Sequence, residues 1–211
     1  LIMQLSQEDN FQMIRFSARG AGTATNGQSL TAGIIIDMRR FMANILSIDP
    51  VAQTATVEPG VVLDQLNDAL KPHKLQFAPS LSPSNRATIG GMFSTDASGK
   101  GSCVHGKTSD HIQETQVVFH DGHQERISAI SDKNIHQKSP KLQNLYQKIT
   151  ALIDSHQTEI DQVFTHKTRH LTGYNLQKAR SQEGLNLNYL LSGSEGTLAL
   201  VTQLTVKLVP L

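Results

Sequence analysis

The spacing of apolar residues changes several times along this chain, and each change marks an element. Met13-Ile14-Arg15-Phe16 reads as a short apolar strand, and Gly33 to Met38 predicts a buried strand. Ile45 to Asp49 predicts another. Thr54 to Glu58 alternates as a third strand, and Pro59-Gly60 closes it. Val61 to Leu70 then switches to helical spacing, with Val62, Leu63, Leu66, Ala69 and Leu70 on one face and Lys71-Pro72 as the stop.

A Pro- and Ser-rich connection, Leu75 to Arg86, separates this part from the rest and predicts a lobe boundary, giving lobes 1–78 and 79–211. Thr88 to Ala97 reads as a short helix of small residues. Ile112 to Phe119 alternates as a strand, Asp121-Gly122 is a hairpin turn signal, and Gln124 to Ile127 is the return strand. Ser139-Pro140 opens a helix whose apolar stripe is Leu142, Leu145, Ile149, Leu152 and Ile153. Leu187 to Leu191 and Leu198 to Leu208 predict two closing strands around Gly193-Ser194-Glu195-Gly196. The order of elements indicates α+β rather than a regular βαβ alternation.

Composition narrows the function classes. The 211 residues carry a formal net charge of +1, so no basic surplus points to nucleic acid. No apolar run has the length of a membrane span, and the start lacks the plan of a signal peptide. The chain does not begin with Met, which suggests a segment of a longer protein. Cys103 is the one cysteine, so no disulfide or four-cysteine cluster forms within these residues. A reducing cytoplasm is the expected compartment. His105 and His111 have no carboxylate or cysteine partner at metal-ligand spacing, and no metal site is predicted.

Three glycine-bearing segments carry the chemistry: Arg19 to Gly27, Ala87 to Gly99, and Ser192 to Thr197. Glycine mixed with small hydroxyl and amide residues lets backbone N–H groups converge on an anion. Folding would have to bring the three together around one large phosphorylated cofactor. A competing signal is Gly101 to Thr108, which satisfies G-x4-G-K-[ST] letter for letter. A working P-loop leaves a strand and opens a helix, whereas a strand pattern follows here without a helix between. A P-loop hydrolase stays as the alternative. Gly20-Ala21-Gly22 begins a dinucleotide fingerprint, but Thr25 stands where its third glycine or alanine belongs, and no convincing helix follows.

Arg19-Gly20-Ala21-Gly22-Thr23 through Gln28 resembles the pyrophosphate loop of the vanillyl-alcohol oxidase / p-cresol methylhydroxylase flavoproteins. Ala87 to Gly91, with Thr95 to Gly99, resembles their second FAD-contacting segment. His105 to Ile112 takes the place of their Tyr-Gly-x-x-x-Asp-His motif, and Gly193 to Leu198 matches their Gly-Ser-Glu-Gly-Thr-Leu signature. The nearest branch is similar to the FAD-linked D-2-hydroxy-acid dehydrogenases. Ser84 to Thr88 and Leu171 to Leu176 look most like the large bacterial D-2-hydroxyglutarate enzymes, which carry a C-terminal iron–sulfur module.

The resemblance implies a two-lobed FAD-binding domain, a small mixed-sheet lobe followed by a larger antiparallel-sheet lobe with flanking helices. It implies hydride transfer from a D-2-hydroxy acid to FAD. The substrate-binding and proton-abstracting residues would lie in a cap domain outside these residues, so no catalytic residue is assigned. Thr23 stands where covalent members carry a flavin-linking histidine, which implies a dissociable FAD. The implied cofactor contacts are Arg19, Gly20, Ala21, Gly22, Thr23, Ala24, Asn26 and Gly27 in the first loop. Thr88, Gly90, Gly91, Thr95, Asp96, Ser98 and Gly99 follow in the second segment, with Pro79 and Ser80 from the connection. Glu195, Gly196 and Val201 complete the set. Arg169 and Tyr174 read as ordinary loop contacts, with a place at the flavin edge as the other option. The location expected is the cytoplasm, with peripheral attachment to the inner membrane as a variant.

Overall fold

The computed structural model describes residues 2–164 and 173–211. Its strands in chain order are β1 (Phe16–Arg19), β2 (Ile34–Asp37), β3 (Ile45–Asp49), β4 (Thr54–Val57), β5 (Leu75–Gln76) and β6 (Ile112–Val118). They continue with β7 (Gln124–Ser128), β8 (Ile130–Ser131), β9 (Gly184–Leu185), β10 (Leu200–Lys207) and β11 (Val209–Pro210). The helices are α1 (Ile2–Leu5), α2 (Met38–Phe41), α3 (Leu63–Leu70), α4 (Ile89–Ser94) and α5 (Ser102–His105). After them come α6 (Pro140–Ser155), α7 (Gln157–Val163), α8 (Leu176–Ala179) and α9 (Asn188–Leu191).

A five-stranded antiparallel sheet, ordered β3-β4-β10-β6-β7, forms the body. Two of its strands precede residue 79 and three follow it. Alternation sets its inner face: Ala55 and Val57 of β4, Leu204 and Val206 of β10, and Ile127 of β7 are all buried. In β6 the buried residues are Ile112, Thr115 and Val117, which breaks strict alternation. A register shift opposite Thr205/Val206 adds one residue to β6 there, so both sides of the bulge face inward. Buried Thr115 donates to Asn188 Oδ1 at 2.7 Å, and Asn188 Nδ2 donates to the Ile127 carbonyl at 3.2 Å. This polar pair in the core is therefore satisfied.

Helices cover the inner face. Leu63, Leu66 and Leu70 of α3, Ile89, Met92 and Phe93 of α4, and Leu142, Tyr146 and Ile153 of α6 share one hydrophobic cluster with the sheet. Ser139 caps α6, its Oγ accepting from the Leu142 N–H at 3.2 Å, with Pro140 in the first turn. Ser139→Ala is expected to cost about 1 kcal/mol of stability, read as a shift in urea midpoint with unchanged slope. The expected stripe of α6 needs one correction. Leu152 is 54% exposed, and Tyr146 takes the core position instead, donating its hydroxyl to the Ser128 carbonyl at 3.0 Å. Residues 142, 146, 149 and 153 follow the 3.6-residue period, whereas 152 falls beside that line. Burial pushes the Tyr146 phenol well above its ordinary range.

Three other expectations shift. The first strand forms at Phe16–Arg19, starting on the last residue of the apolar run that signalled it. The strand expected to be buried at 33–38 is β2, a parallel partner of β1, with Ile34 at 43% and Ile35 at 40% exposure. Its last residue, Asp37, caps α2 by accepting from the Arg39 N–H at 3.0 Å. The strand expected at 187–191 is helix α9. Asn186 accepts from the Asn188 N–H, and the Leu187 carbonyl accepts from the N–H groups of Leu190 and Leu191. Five residues with three leucines fit either period, and the buried partners of Asn188 decide for the helix.

Candidate functional site: a glycine-walled cleft

The three glycine-bearing segments meet around one cleft of about 280 Å³. One wall is the end of β1 and the loop after it, Gly20 to Ala24. The facing wall is the start of α4, with Thr88, Gly90 and Gly91, continuing to Thr95. Glu195, Gly196 and Val201 supply the third side, and Met38, Pro59, Leu81 and Met92 contribute apolar surface.

Close backbone approach explains the glycines. A Cβ on Gly20 would lie 2.3 Å from Thr88 Oγ1, and one on Gly90 would lie 2.4 Å from Pro59 Cβ. Gly22 has φ +67°, the left-handed region that suits glycine. Thr88 is the pivot. Its hydroxyl oxygen accepts from the Gly91 N–H at 3.2 Å and caps α4, which leaves its own proton free for a ligand oxygen. Thr95 Oγ1 donates to the Gly91 carbonyl at 3.0 Å and keeps its lone pairs free.

The last segment is tied to this wall. Phe93 O accepts from Gly193 N at 3.1 Å and from Ser192 Oγ at 3.0 Å, and Glu195 N donates to Ser94 O at 2.8 Å. Glu195 sits at φ +54°, uncommon for a residue with a side chain, and these contacts hold it there. Its carboxylate accepts from Gln28 Nε2 at 2.8 Å, joining the first loop to the last across 167 residues of sequence. Gln28, Ser29, Pro59 and Ala87 also line the cleft; none is among the implied cofactor contacts, although Gln28 and Ala87 lie within the matching segments. Gln28 directly follows Gly27 in the same small-residue loop, and that adjacency was the available signal. Pro59 was read only as a strand terminator.

Other candidates lie off the lining. Asn26 Oδ1 accepts from Thr25 Oγ1 on the exposed turn, and Gly27 closes that turn through its carbonyl. A Cβ on Gly99 would fall 1.4 Å from the Ser80 carbonyl, so Ser80 and Gly99 pack backbone on backbone beside the cleft. Pro79 is buried next to them, and Ser98 is half-buried. The Arg19 guanidinium folds over Gly22, with Nη2 3.1 Å from where a Cβ would stand. Tyr174 is 46% exposed and its hydroxyl is 2.8 Å from Thr197 Oγ1. Arg169 lies outside the described residues.

Asp96 faces away from the cleft. It accepts from the Ser109 N–H at 3.0 Å and pairs with Lys107 Nζ at 2.5 Å, both side chains less than a tenth exposed. This overturns the P-loop alternative. Residues 102–105 of that motif form α5, Lys107 is spent on Asp96, and Thr108 donates to the Ala97 carbonyl at 2.7 Å. A single 3-10 turn, Thr108–His111, leads straight into β6, so no helix opens after the lysine.

The neighbouring Asp110 has its own pairing. Burial pushes its carboxyl up, but Lys178 Nζ at 2.6 Å and the Lys107 N–H at 2.9 Å outweigh this and hold it below the usual carboxylate range. A depressed folded value means stability present above the unfolded value of about 3.9 and lost as pH falls from there through the lower folded value. The stability advantage of the wild type over Asp110→Asn is therefore expected to shrink below about pH 4 in thermal unfolding.

The cleft fits a nucleotide cofactor by its donor set and its bare backbone. Its volume is at the small end of ligand sites, which span about 300–1,000 Å³, and suits part of a dinucleotide. Residues 3–128 match the family of the FAD-binding domain. The chain belongs to that family. It is 42% identical over 214 residues to a D-2-hydroxyglutarate dehydrogenase of Pseudomonas putida, covering 100% of this chain and 21% of that protein. It is 27% identical to the mitochondrial D-lactate dehydrogenase [cytochrome] 1 of Saccharomyces cerevisiae, over 98% of this chain and 27% of that one. Among solved structures, an alkyldihydroxyacetonephosphate synthase superposes with a TM-score of 0.65 at 20% identity, covering 99% of this chain and 29% of that chain. The chain thus spans about a fifth of the D-2-hydroxyglutarate dehydrogenase it matches. FAD is the cofactor of this domain, and the antiparallel sheet with flanking helices is the fold expected for it.

Proposed function

We propose that this chain is the FAD-binding portion of a flavin-dependent dehydrogenase that oxidises a D-2-hydroxy acid, with D-2-hydroxyglutarate the first substrate to test. The observation that carries the reading is the 42% identity over an alignment that covers the whole chain. FAD when bound supplies the acceptor for the substrate's α-hydrogen as hydride. The residues here hold and orient it. The Gly20–Ala24 backbone takes the pyrophosphate, Thr88 offers a hydroxyl proton, and Val201 and Met92 give apolar surface.

The FAD is held without a covalent bond. Thr23, which lines the cleft, stands where covalent members of the family carry the flavin-linking histidine. The base that takes the substrate's hydroxyl proton, and any iron–sulfur acceptor, belong to parts of the protein outside these residues. The division into lobes at residue 79 and a cytoplasmic setting, with peripheral attachment to the inner membrane as a variant, remain parts of this proposal. No helix among the described residues is long and apolar enough to cross a membrane.

The test is incubation with FAD or with magnesium and ATP, desalting, and an absorption spectrum. Retained flavin that acid precipitation releases, with no retained ATP, is the expected result. Absence of flavin uptake overturns the reading.

A further inference from the structure

The charges around the cleft are arranged in an unexpected way. Of the described residues that line it, none is Lys, Arg or His, and Glu195 is negative. A pyrophosphate brings two further negative charges into that space. Backbone N–H groups offer partial charges only.

The positive charge lies on the other side of the loop. Arg19, Arg39 and Arg40 surround an open basin of about 460 Å³ whose remaining lining is Gly20, Ala21, Ile35 and Asp37. Gly20 and Ala21 line both the cleft and the basin, so this one stretch of backbone separates the two. Among the described residues none of the three guanidinium groups is in an ion pair. Arg19 lies over Gly22, Arg40 stacks on the Phe41 ring at 5.2 Å, and the Asp37 carboxylate is engaged with the Arg39 N–H. The basin keeps three cations against one anion.

We propose that Arg19, Arg39 and Arg40 provide the counter-charge for the cofactor's pyrophosphate from behind the loop, without touching it. The proposal rests on the FAD reading and names the residues that set its electrostatics. An arginine inside the cleft would pair with Glu195, which would compete with the pyrophosphate for it. Three cations behind a thin backbone wall raise the potential at the anion site instead, and favour anionic over uncharged ligands. All three are solvent-exposed, so the effect is modest and salt-dependent.

The test uses Arg39→Gln/Arg40→Gln in the protein, with affinities for FAD, ADP, adenosine and riboflavin measured by fluorescence and calorimetry. Both side chains are exposed, and the Arg39 N–H that bonds Asp37 is retained. At about 0.01 M ionic strength, where the screening length is about 30 Å, FAD and ADP are expected to bind about five- to tenfold more weakly. Adenosine and riboflavin, which lack phosphate, should bind as before. Near 1 M salt, where that length is about 3 Å, the gap should close. Unchanged FAD and ADP affinity at low salt overturns the proposal. So does an equal loss for the uncharged ligands, or one that persists at high salt, since either marks a structural effect. Wild-type protein that binds neither FAD nor ADP overturns the cofactor reading itself, and this proposal with it.

Discussion

Gly20→Ala is expected to lower FAD affinity by on the order of a hundredfold while the chain still folds. The added Cβ would stand 2.3 Å from Thr88 Oγ1, far inside contact distance. Thr88 is 2% exposed and its oxygen caps α4, so it cannot swing aside without abandoning the Gly91 N–H. Losing that cap costs about 1 kcal/mol, and overpacking adds about 1–3 kcal/mol. The alternative is for the loop to move away from α4, which pulls the two cleft walls out of register. A flavin titration beside a thermal unfolding curve separates the two. A variant that binds FAD like the wild type would remove this loop from the cofactor site.

Lys107→Met should be the most destabilising single change near the cleft. It leaves the Asp96 carboxylate buried with the Ser109 N–H as the one hydrogen-bond donor left to it among the described residues. Breaking a buried pair by removing one partner costs about 3–5 kcal/mol, which in a chain of this length lowers Tm by roughly 10 °C. The double variant with Asp96→Asn should recover part of that loss. Asparagine carries no charge, tolerates the left-handed backbone seen at residue 96 (φ +46°), and can still accept from Ser109. A double variant no more stable than Lys107→Met would mean that the buried charge is not the cause. The P-loop reading makes a different forecast, loss of ATP binding without loss of stability.

The two positions differ in how far the sequence exposes them. Gly20 belongs to a loop whose chemistry is local: glycine, small hydroxyls and an amide in one run, following a strand signal. That pattern is the ground for expecting an anion-binding loop before any fold is known. Lys107 sits in a motif that matches a nucleotide-binding pattern letter for letter, and the match misleads. Its role depends on Asp96, eleven positions earlier, being folded against it. No spacing rule connects them.

The sequence by itself determined the elements whose cause is local. The amphipathic face of α3, the Ser139 cap and Pro140 of α6, and the β6–β7 hairpin at Asp121-Gly122, where Gly122 has φ +80°, follow from period and turn chemistry. It also determined the three glycine-bearing segments, because bare backbone is itself a sequence property. The tertiary structure alone decided what surrounds each of them. It placed β10 between β4 and β6, turned 188–191 into a helix around buried Asn188, and left Ile34 and Ile35 exposed. It joined Gln28 to Glu195 and set three arginines around the basin on the other side of the Gly20–Ala21 backbone from the cleft. The physical reason is one of range. Backbone period and turn preference are fixed within a few residues, whereas desolvation and charge pairing depend on groups that only folding brings together.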